Sequence, residues 1–281
     1  MNGATWLVVN GASGSHGDGS VESLSRALAA AERAPGRVID LQRERCPRLG
    51  DLVTAQVGLL AVFGGDGTLN TAIRAVEGWD GEVLALPGGT ANLLARSLHG
   101  EAEAEAIIAG LGTPRLTARP RNCIRCGTHT ALIEVLAGPG AAWSDVREGL
   151  REGSVAQVAG SALDAAVQST AGPMVRVVEP ALGRAEGYSG IRLTPGGANL
   201  EVEGYGARRL TDYVLQGLAL LRRDFREGPH DELGRHRAVR CRSADGSPIE
   251  LMIDGERATG AAEEQFSLAP LAVKLLASAD G

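Results

Sequence analysis

The stretch that decides the fold is Val57–Phe63, followed by Gly64-Gly65-Asp66-Gly67-Thr68 and then by Leu69–Val76. The apolar run has the length of a buried strand, and the last segment has the periodicity of a helix. Glycines let a backbone approach an anion without a Cβ in the way, and the following helix directs its unpaired N–H groups at that anion. The stretch therefore predicts a strand–loop–helix unit whose loop binds phosphate.

The same pattern occurs twice more in the N-terminal part of the chain. Each copy joins an apolar run to a loop and a helix-like segment: Trp6–Val9, Asn10–Ser20 and Val21–Ala34 in one, and Val83–Leu86, Pro87-Gly88-Gly89-Thr90 and Ala91–Leu98 in the other. Strands that alternate with helices indicate a parallel sheet, and ligands of such sheets bind at the carboxyl ends of the strands. We therefore predict an α/β domain with phosphate-binding loops over residues 1–113.

The pattern changes after Gly110–Pro114, where short apolar segments separated by turn residues predict antiparallel strands. These segments are Arg115–Ala118, Cys123–Arg125, Ala131–Leu136, Met174–Val178, Ile191–Thr194, Leu200–Val202, Ala238–Cys241 and Ile249–Ile253. Helical periodicity interrupts them at Ala141–Ser169 and Arg208–Arg223. We predict a β-rich second domain over residues 114–270, with the tail 271–281 packing back on the first domain.

Charge and composition exclude several function classes. The formal net charge of -6 and the pI near 5.5 argue against a nucleic-acid partner, and aromatic residues make up only 3% of the chain. No apolar run approaches the length of a bilayer span, and Met1–Val9 does not have the form of a secretory signal. These features predict a cytoplasmic protein.

Lys274 is the only lysine in the chain, and it lies in the apolar tail segment Leu271–Leu276. A Walker-A kinase needs a lysine in its glycine loop, and a protein kinase needs one on a strand near its nucleotide. Lys274 fits neither position, so both designs are excluded.

Asp66 is unusual for a phosphate-binding loop. A carboxylate among phosphate-binding amides would repel the ligand unless a divalent cation or a substrate hydroxyl lies between them. Thr68 and Asn70, by contrast, are short polar residues suited to a helix start or to a phosphate oxygen. We therefore assign Asp66 to magnesium, to a ribose hydroxyl or to the reacting alcohol.

Four strings together resemble the diacylglycerol kinase catalytic-domain superfamily, which includes bacterial diacylglycerol kinase-like enzymes, sphingosine kinases and ceramide kinases. Phe63–Asn70 resembles its nucleotide loop, and Leu86–Arg96 resembles the second signature of the lipid kinases. Asn10–Gly14 is similar to their first loop, and Ile253–Glu256 is similar to a late Asp-Gly-Glu element. The resemblance implies a fold like that of NAD kinases and diacylglycerol kinases. Residues 1–113 would form the nucleotide-binding domain and residues 114–270 the lipid/acceptor domain, with the active-site cleft between them.

The resemblance also implies ATP and Mg²⁺ as cofactors, and a lipid acceptor such as diacylglycerol or ceramide at a membrane surface. Contact with the inner face of the cell membrane would then be peripheral and transient, and a homodimer is left open. The residues implied to bind nucleotide are Asn10, Ser13, Gly14, Gly64, Gly65, Asp66, Gly67, Thr68, Asn70, Gly88, Gly89, Thr90 and Asn92.

Catalysis is assigned to three carboxylates. Glu256 is the first choice for the general base, Asp254 is a metal or orienting partner, and Asp66 is a competing base and metal ligand. Phosphoryl transfer needs such a group to accept the hydroxyl proton of the acceptor. Asp254-Gly255 is also a strong hairpin-turn signal, and without the N-terminal loops the turn alone would be the favoured interpretation.

Three departures from the family pattern, Gly11, Thr71 and Leu93, keep alternatives open. These alternatives are a kinase of a soluble acceptor such as NAD, and a catalytically inactive regulator that binds nucleotide or lipid. Thr194–Asn199 echoes the second glycine loop but precedes no helix, so a hairpin connection is predicted there. The amphipathic stretch Arg208–Arg223 is predicted to dock on its own domain rather than on a membrane.

Overall fold

The computed structural model describes residues 3–10, 18–89, 91–139, 172–206 and 230–279. The chain divides into two compact units, Met1–Arg121 with Pro270–Gly281, and Asn122–Ala269. Within the described ranges, no helix is long and apolar enough to cross a membrane.

The first unit is one mixed sheet with helices between its strands. Its elements are β1 (Ala4–Val9), α1 (Asp18–Ala30), β2 (Pro35–Asp40), α2 (Leu49–Thr54), β3 (Val57–Gly64), α3 (Asp66–Ala75), β4 (Glu82–Pro87), α4 (Leu93–His99), α5 (Ala104–Ile108), β5 (Leu116–Arg119) and β18 (Lys274–Ser278). The strand order is β2-β1-β3-β4-β18-β5. All neighbouring strands are parallel except β18 and β5, which are antiparallel.

The two central strands β3 and β4 are buried on both faces. Leu60 and Val62 alternate along β3 with Leu59 and Ala61, and none of the four is more than 3% exposed. Helices cover both sides of such a sheet, so its strands read as continuous apolar runs. This burial explains why β3 is the clearest strand in the sequence. The packed strand also gives the glycine loop that follows it a rigid support at the edge of the sheet.

The edge of the first sheet differs from the sequence prediction in one respect. The boundary at Thr113 assigned Arg115–Ala118 to the second domain, whereas β5 pairs with β18 in the first sheet. The tail strand β18 in turn lies beside β4, with Leu275 opposite Val83. A strand whose partner is about 150 residues away in sequence carries no local signal of its sheet.

The described residues of the second unit form two six-stranded sheets. Its strands are β6 (Asn122–Cys126), β7 (His129–Ala131), β8 (Val135–Ala137), β9 (Val175–Glu179), β10 (Ala181–Leu182), β11 (Gly190–Pro195), β12 (Leu200–Tyr205), β13 (Asp231–His236), β14 (Ala238–Ser243), β15 (Glu250–Ile253), β16 (Glu256–Thr259) and β17 (Glu263–Pro270). Their orders are β10-β9-β14-β17-β6-β7 and β13-β12-β11-β8-β15-β16.

Apolar side chains from both sheets of the second unit share one core. Phe266 and Val177 lie in the sheet that contains β17 and β9. They belong to the same buried cluster as Ile191 and Leu251 of the other sheet of this unit. The predicted antiparallel, β-rich character is confirmed, and Thr194–Asn199 is the hairpin between β11 and β12. The two helical predictions, Ala141–Ser169 and Arg208–Arg223, lie outside the described residues.

Candidate active site

The first glycine loop is shorter than the sequence suggested. Strand β3 ends at Gly64, Gly65 is the N-cap residue, and α3 already begins at Asp66 rather than at Leu69. A Cβ on Gly64 would lie 2.7 Å from Cβ of Thr68, so this glycine lets the helix start directly over the strand end. Asp66, Gly67 and Thr68 therefore form the first turn of α3, where backbone N–H groups lack intrahelical acceptors.

The two glycine loops are in direct contact. The Gly88 N–H donates to the Gly64 carbonyl at 3.1 Å. A Cβ on Gly89 would lie 2.5 Å from Cα of Gly65, and a Cβ on Gly88 would lie 2.7 Å from N of Gly64. Real side chains essentially never come that close. These glycines are therefore required for the two loops to pack backbone against backbone.

The carboxylate of Asp66 joins the first loop to the helix that follows the second. Its two oxygens accept the backbone N–H groups of Leu93 at 3.0 Å and Leu94 at 2.9 Å. Asp66 thus satisfies the N-terminus of α4, where a negative charge is favoured by the helix dipole. The N–H groups of Leu93 and Leu94 at the start of α4 are consequently occupied by this side chain.

Asparagines shape the same site from two sides. Asn92 has φ 51° and precedes α4, and its side chain accepts the Gly89 N–H at 2.7 Å and donates to the Gly89 carbonyl at 2.8 Å. Asn10, at the end of β1, donates from Nδ2 to Oγ1 of Thr68 at 2.9 Å. Three strand ends are therefore tied together, as the sequence predicted for one ligand-binding edge.

Most predicted nucleotide-binding residues meet at this edge, including the half-buried Asn70 in the second turn of α3. Ser13, Gly14 and Thr90 lie outside the described residues.

The Asp-Gly-Glu element of the second unit forms a two-residue hairpin turn. Asp254 has φ 49° and Gly255 has φ 91°, which are the left-handed values that a type I′ turn requires at both positions. Ile253 pairs with Glu256 across the turn, at the ends of β15 and β16. The turn signal in the sequence is therefore confirmed, and it places the Glu256 side chain in an exposed position.

The Asp254 side chain is 4% exposed, and it faces the protein interior. Its Oδ2 accepts the N–H of Leu132 at 2.7 Å, and its Oδ1 accepts those of Ile133 at 2.9 Å and Glu134 at 3.0 Å. Its own N–H donates to the Glu134 carbonyl at 3.0 Å. This set of bonds fixes the turn to the segment before β8.

Sequence reasoning missed a charged cluster beside this turn. Arg192 of β11 donates to Glu134 at 2.9 Å and to Glu203 at 3.2 Å, and Tyr205 donates to Glu203 at 2.7 Å. Burial raises the pKa of Tyr205 to about 12. Burial opposes the charge of Arg192, but the contacts with Glu134 and Tyr205 together outweigh it and raise the pKa of the guanidinium. The cluster could have been suspected from the sequence because Glu134 and Arg192 are charged residues inside the apolar runs Ala131–Leu136 and Ile191–Thr194.

The carboxylates of the site could coordinate a metal ion only together with other ligands, such as substrate phosphates and water. Among the described residues, no group of three or more His, Cys, Asp or Glu side chains could hold a metal ion. Each Asp66 oxygen accepts one of the two N–H bonds and retains a further lone pair. Magnesium usually binds one or two carboxylates together with substrate phosphates and water, so this arrangement fits a metal that arrives with a nucleotide.

Residues 4–117 match the sequence profile of the diacylglycerol kinase catalytic domain. This part of the chain belongs to the diacylglycerol kinase catalytic-domain superfamily. The match confirms the resemblance of the glycine loops, and it identifies residues 4–117 as a kinase catalytic domain. No curated protein sequence matches the chain.

Solved structures show the same fold. A diacylglycerol kinase from Bacillus anthracis str. Sterne superimposes with a TM-score of 0.67, covering 99% of this chain and 97% of its own, at 16% identity. Two further structures from the same strain give TM-scores of 0.63 and 0.65, each at 16% identity and covering 99% of this chain and 98% of their own. At this identity the likeness establishes the diacylglycerol kinase-like fold.

Proposed function

We propose that the protein is an ATP-dependent lipid kinase that transfers the γ-phosphate to a hydroxyl of diacylglycerol, ceramide or a similar acceptor. The observation that carries this proposal is the pair of glycine loops, joined by Asp66 to Leu93 and Leu94, within a kinase catalytic domain.

The nucleotide phosphates would bind at the first turn of α3. The N–H groups of Asp66, Gly67 and Thr68 point out of the helix start, and the helix dipole favours an anion there. Backbone contact between Gly65 and Gly89 keeps side chains away from the same place. Asn10 would then act through Thr68, whose hydroxyl it orients.

Magnesium would be held by Asp66 together with the nucleotide phosphates. When bound, it neutralises the charge that develops on the transferring phosphoryl group. Asp66 itself contributes position: because it caps α4, it keeps the second glycine loop against the first. We therefore assign Asp66 to loop positioning and metal contact rather than to proton transfer.

Glu256 is the proposed general base, which accepts the hydroxyl proton of the acceptor as the new phosphate ester forms. It is exposed, as a group that meets a substrate from solution or from a membrane must be. Asp254 is the positioning residue, because its carboxylate is engaged by three backbone N–H groups that lock the turn. A lipid acceptor implies transient contact of the protein with the membrane surface.

The proposal is tested with radiolabelled ATP, magnesium and mixed micelles that contain diacylglycerol, ceramide, sphingoid base, monoacylglycerol or phosphatidylglycerol, with NAD as the soluble competitor. We expect one lipid to be labelled, and Glu256→Gln to lower turnover by about 10²- to 10⁴-fold, the usual contribution of a general base. Arg257→Gln, at the adjacent exposed position, is the matched control. Labelling of NAD and of no lipid would overturn the acceptor class, and near-normal turnover of folded Glu256→Gln would overturn the role of that residue.

A further inference from the structure

The cluster around Arg192 forms a row that ends at the proposed catalytic turn. On neighbouring strands, Arg192 pairs with Glu203 of β12 on one side, and its guanidinium reaches Glu134, just before β8, on the other. Glu134 binds Asp254 twice, through its N–H and through its carbonyl. The row therefore connects β12 to the turn that carries Glu256.

Glu134 is held by both its backbone and its side chain. Leu132 and Ile133 also donate to Asp254, but they are apolar and have no charged group to anchor them elsewhere. The Glu134 and Arg192 side chains are only 14% and 11% exposed, so water screens their attraction weakly. Arg192 consequently fixes Glu134, and Glu134 fixes the carboxylate and the backbone of Asp254.

Asp254 takes φ 49°, a left-handed conformation that aspartate tolerates better than most residues but that still depends on its surroundings. A left-handed conformation persists at such a residue when its surroundings over-determine it. The two-residue turn then transmits any shift of Asp254 directly to Glu256, which is two positions further along the chain. A displacement of about 1 Å in a reacting group can cost about 10²-fold in rate.

We propose that Glu134 and Arg192 are positioning residues that aim Glu256 at the acceptor hydroxyl by way of Asp254. The inference rests on the proposed function of Glu256 as general base. It assigns a catalytic purpose to an ion pair that would otherwise serve stability alone, and it makes the row Glu203–Arg192–Glu134–Asp254 part of the active site.

The test variant is Glu134→Gln, because it keeps the backbone bonds to Asp254 and leaves Arg192 paired with Glu203. The matched control is Glu201→Gln in the same sheet, whose carboxylate also lies 2.9 Å from an arginine, Arg235, but is 47% exposed. We expect Glu134→Gln to lower kcat by about tenfold or more with an unchanged KM for ATP. Glu201→Gln should stay within about twofold of the parent, as surface pairs contribute little.

A double-variant cycle separates positioning from stability. If Glu134 acts through Glu256, adding Glu134→Gln to Glu256→Gln should cause no further loss of kcat. Arg192→Lys, which keeps the charge but not the planar fork, should give the same non-additive result. If Glu134→Gln or Arg192→Lys lowers kcat by the same factor in the parent and in Glu256→Gln, the inference is overturned.

Amide hydrogen exchange gives a readout that does not depend on turnover. In Glu134→Gln and in Arg192→Lys, peptides that span residues 250–257 should exchange about tenfold faster, while those over β14 should not change. Unchanged exchange at the turn would overturn the inference even if Glu256 is the base. Conversely, normal turnover of Glu256→Gln would overturn the proposed base, and the exchange result would still decide whether the pair holds the turn.

Discussion

Asp66 belongs to the first glycine loop and Leu93 follows the second, yet the carboxylate of Asp66 accepts the backbone N–H of Leu93 at 3.0 Å. The neighbouring Leu94 N–H binds the other carboxylate oxygen at 2.9 Å. This relationship explains an acidic residue in a phosphate-binding loop, because the positive end of α4 offsets the charge of Asp66 before any nucleotide or metal arrives. It also ties the geometry of the second loop to the first.

Replacement of Asp66 by asparagine tests this bridge. The amide has a single acceptor oxygen, so one of the two N–H groups of α4 loses its partner and the charge disappears. We expect a loss of about 1.5–3 kcal/mol in the free energy of unfolding, the usual value for hydrogen bonds to a charged group. Nucleotide affinity should also fall by about tenfold or more, as measured by calorimetric titration.

The control for this variant is Asp80→Asn. Asp80 pairs with Lys274 on the surface, where its side chain is 98% exposed. Such exposed pairs contribute little, because water and salt screen them, so stability and nucleotide affinity should hardly change. Equal effects of the two substitutions would contradict the bridging role of Asp66.

The contact between the glycine loops is tested by Gly89→Ala. The added Cβ would lie 2.5 Å from Cα of Gly65, so the loops must separate. We expect nucleotide affinity to fall by about tenfold or more. The fold should be retained, because the steric strain is confined to the two glycine loops at the edge of the sheet.

The chain contains its own control for the alanine substitution. Gly197 occupies the same place in the echoing string Pro195-Gly196-Gly197, but a Cβ there would meet nothing within 4 Å. Gly197→Ala should therefore leave nucleotide binding unchanged. A comparable loss in both variants would mean that alanine acts on the chain in general and not on the loop contact.

The strongest elements of the fold could be predicted from the sequence because they are buried on both faces. Strands β3 and β4 are continuous apolar runs in the sequence. The glycine loops that follow them could be recognised because strand, glycines and helix are consecutive in the chain. Strand β2 was missed because it lies at the sheet edge, where Gly36, Arg37 and Val38 are exposed. The tail 271–281, which contains β18, was predicted to pack on the first domain, but the sequence did not specify a strand beside β4.

The hydrogen bonds of the buried Asp254 carboxylate predict that replacing it by asparagine lowers the stability of the protein strongly. Asparagine also tolerates a left-handed backbone, so Asp254→Asn removes the charge without removing the turn preference. At least one of the three backbone N–H groups that the carboxylate satisfies would lose its bond in a buried place. We expect the free energy of unfolding to fall by about 2–4 kcal/mol, measured by urea denaturation.

Glu250→Gln is the comparison for Asp254→Asn, since it lies on the same strand with an exposed side chain. Its free energy of unfolding should stay within about 0.5 kcal/mol of the parent. A similarly small effect at Asp254 would show that the three N–H groups find other partners, and the turn would not depend on this carboxylate.

His99 predicts a pH dependence of stability. It is 5% exposed, its Nδ1 lies 3.0 Å from Oγ of Ser278, and burial lowers the pKa of its imidazole to about 4. The unfolded chain has an ordinary histidine pKa of about 6.5, so it binds more protons than the native state between these values. The stabilisation is therefore present above about pH 6.5 and is lost as the pH falls towards 4.

The difference between the parent and His99→Asn isolates this contribution, because carboxylates titrate alike in both. Calorimetric melting at pH 7 and pH 4.5 should show a parent-specific loss of up to about 3 kcal/mol that the variant lacks. The same pH dependence in both proteins would mean that His99 is protonated without penalty in the folded state.

The candidate site was predictable where motifs are local and was missed where it is assembled across strands. The spacing of Asp254 and Glu256 follows from a turn signal, and the structure has that turn. The sequence did not reveal that Asp66 caps α4, because the two lie 27 residues apart. The Arg192 cluster joins three segments of β-structure, so only the pairing of β8, β11 and β12 brings it together.

The measurement that tests the central claim most directly is the transfer of radiolabelled γ-phosphate from ATP to lipid, followed by chromatographic separation of the lipid products. The parent protein with magnesium should label one hydroxyl-bearing lipid. Gly89→Ala should lower the labelling at limiting ATP, whereas Gly197→Ala should not. A parent that binds ATP but labels none of diacylglycerol, ceramide, sphingoid base, monoacylglycerol and phosphatidylglycerol would contradict the account.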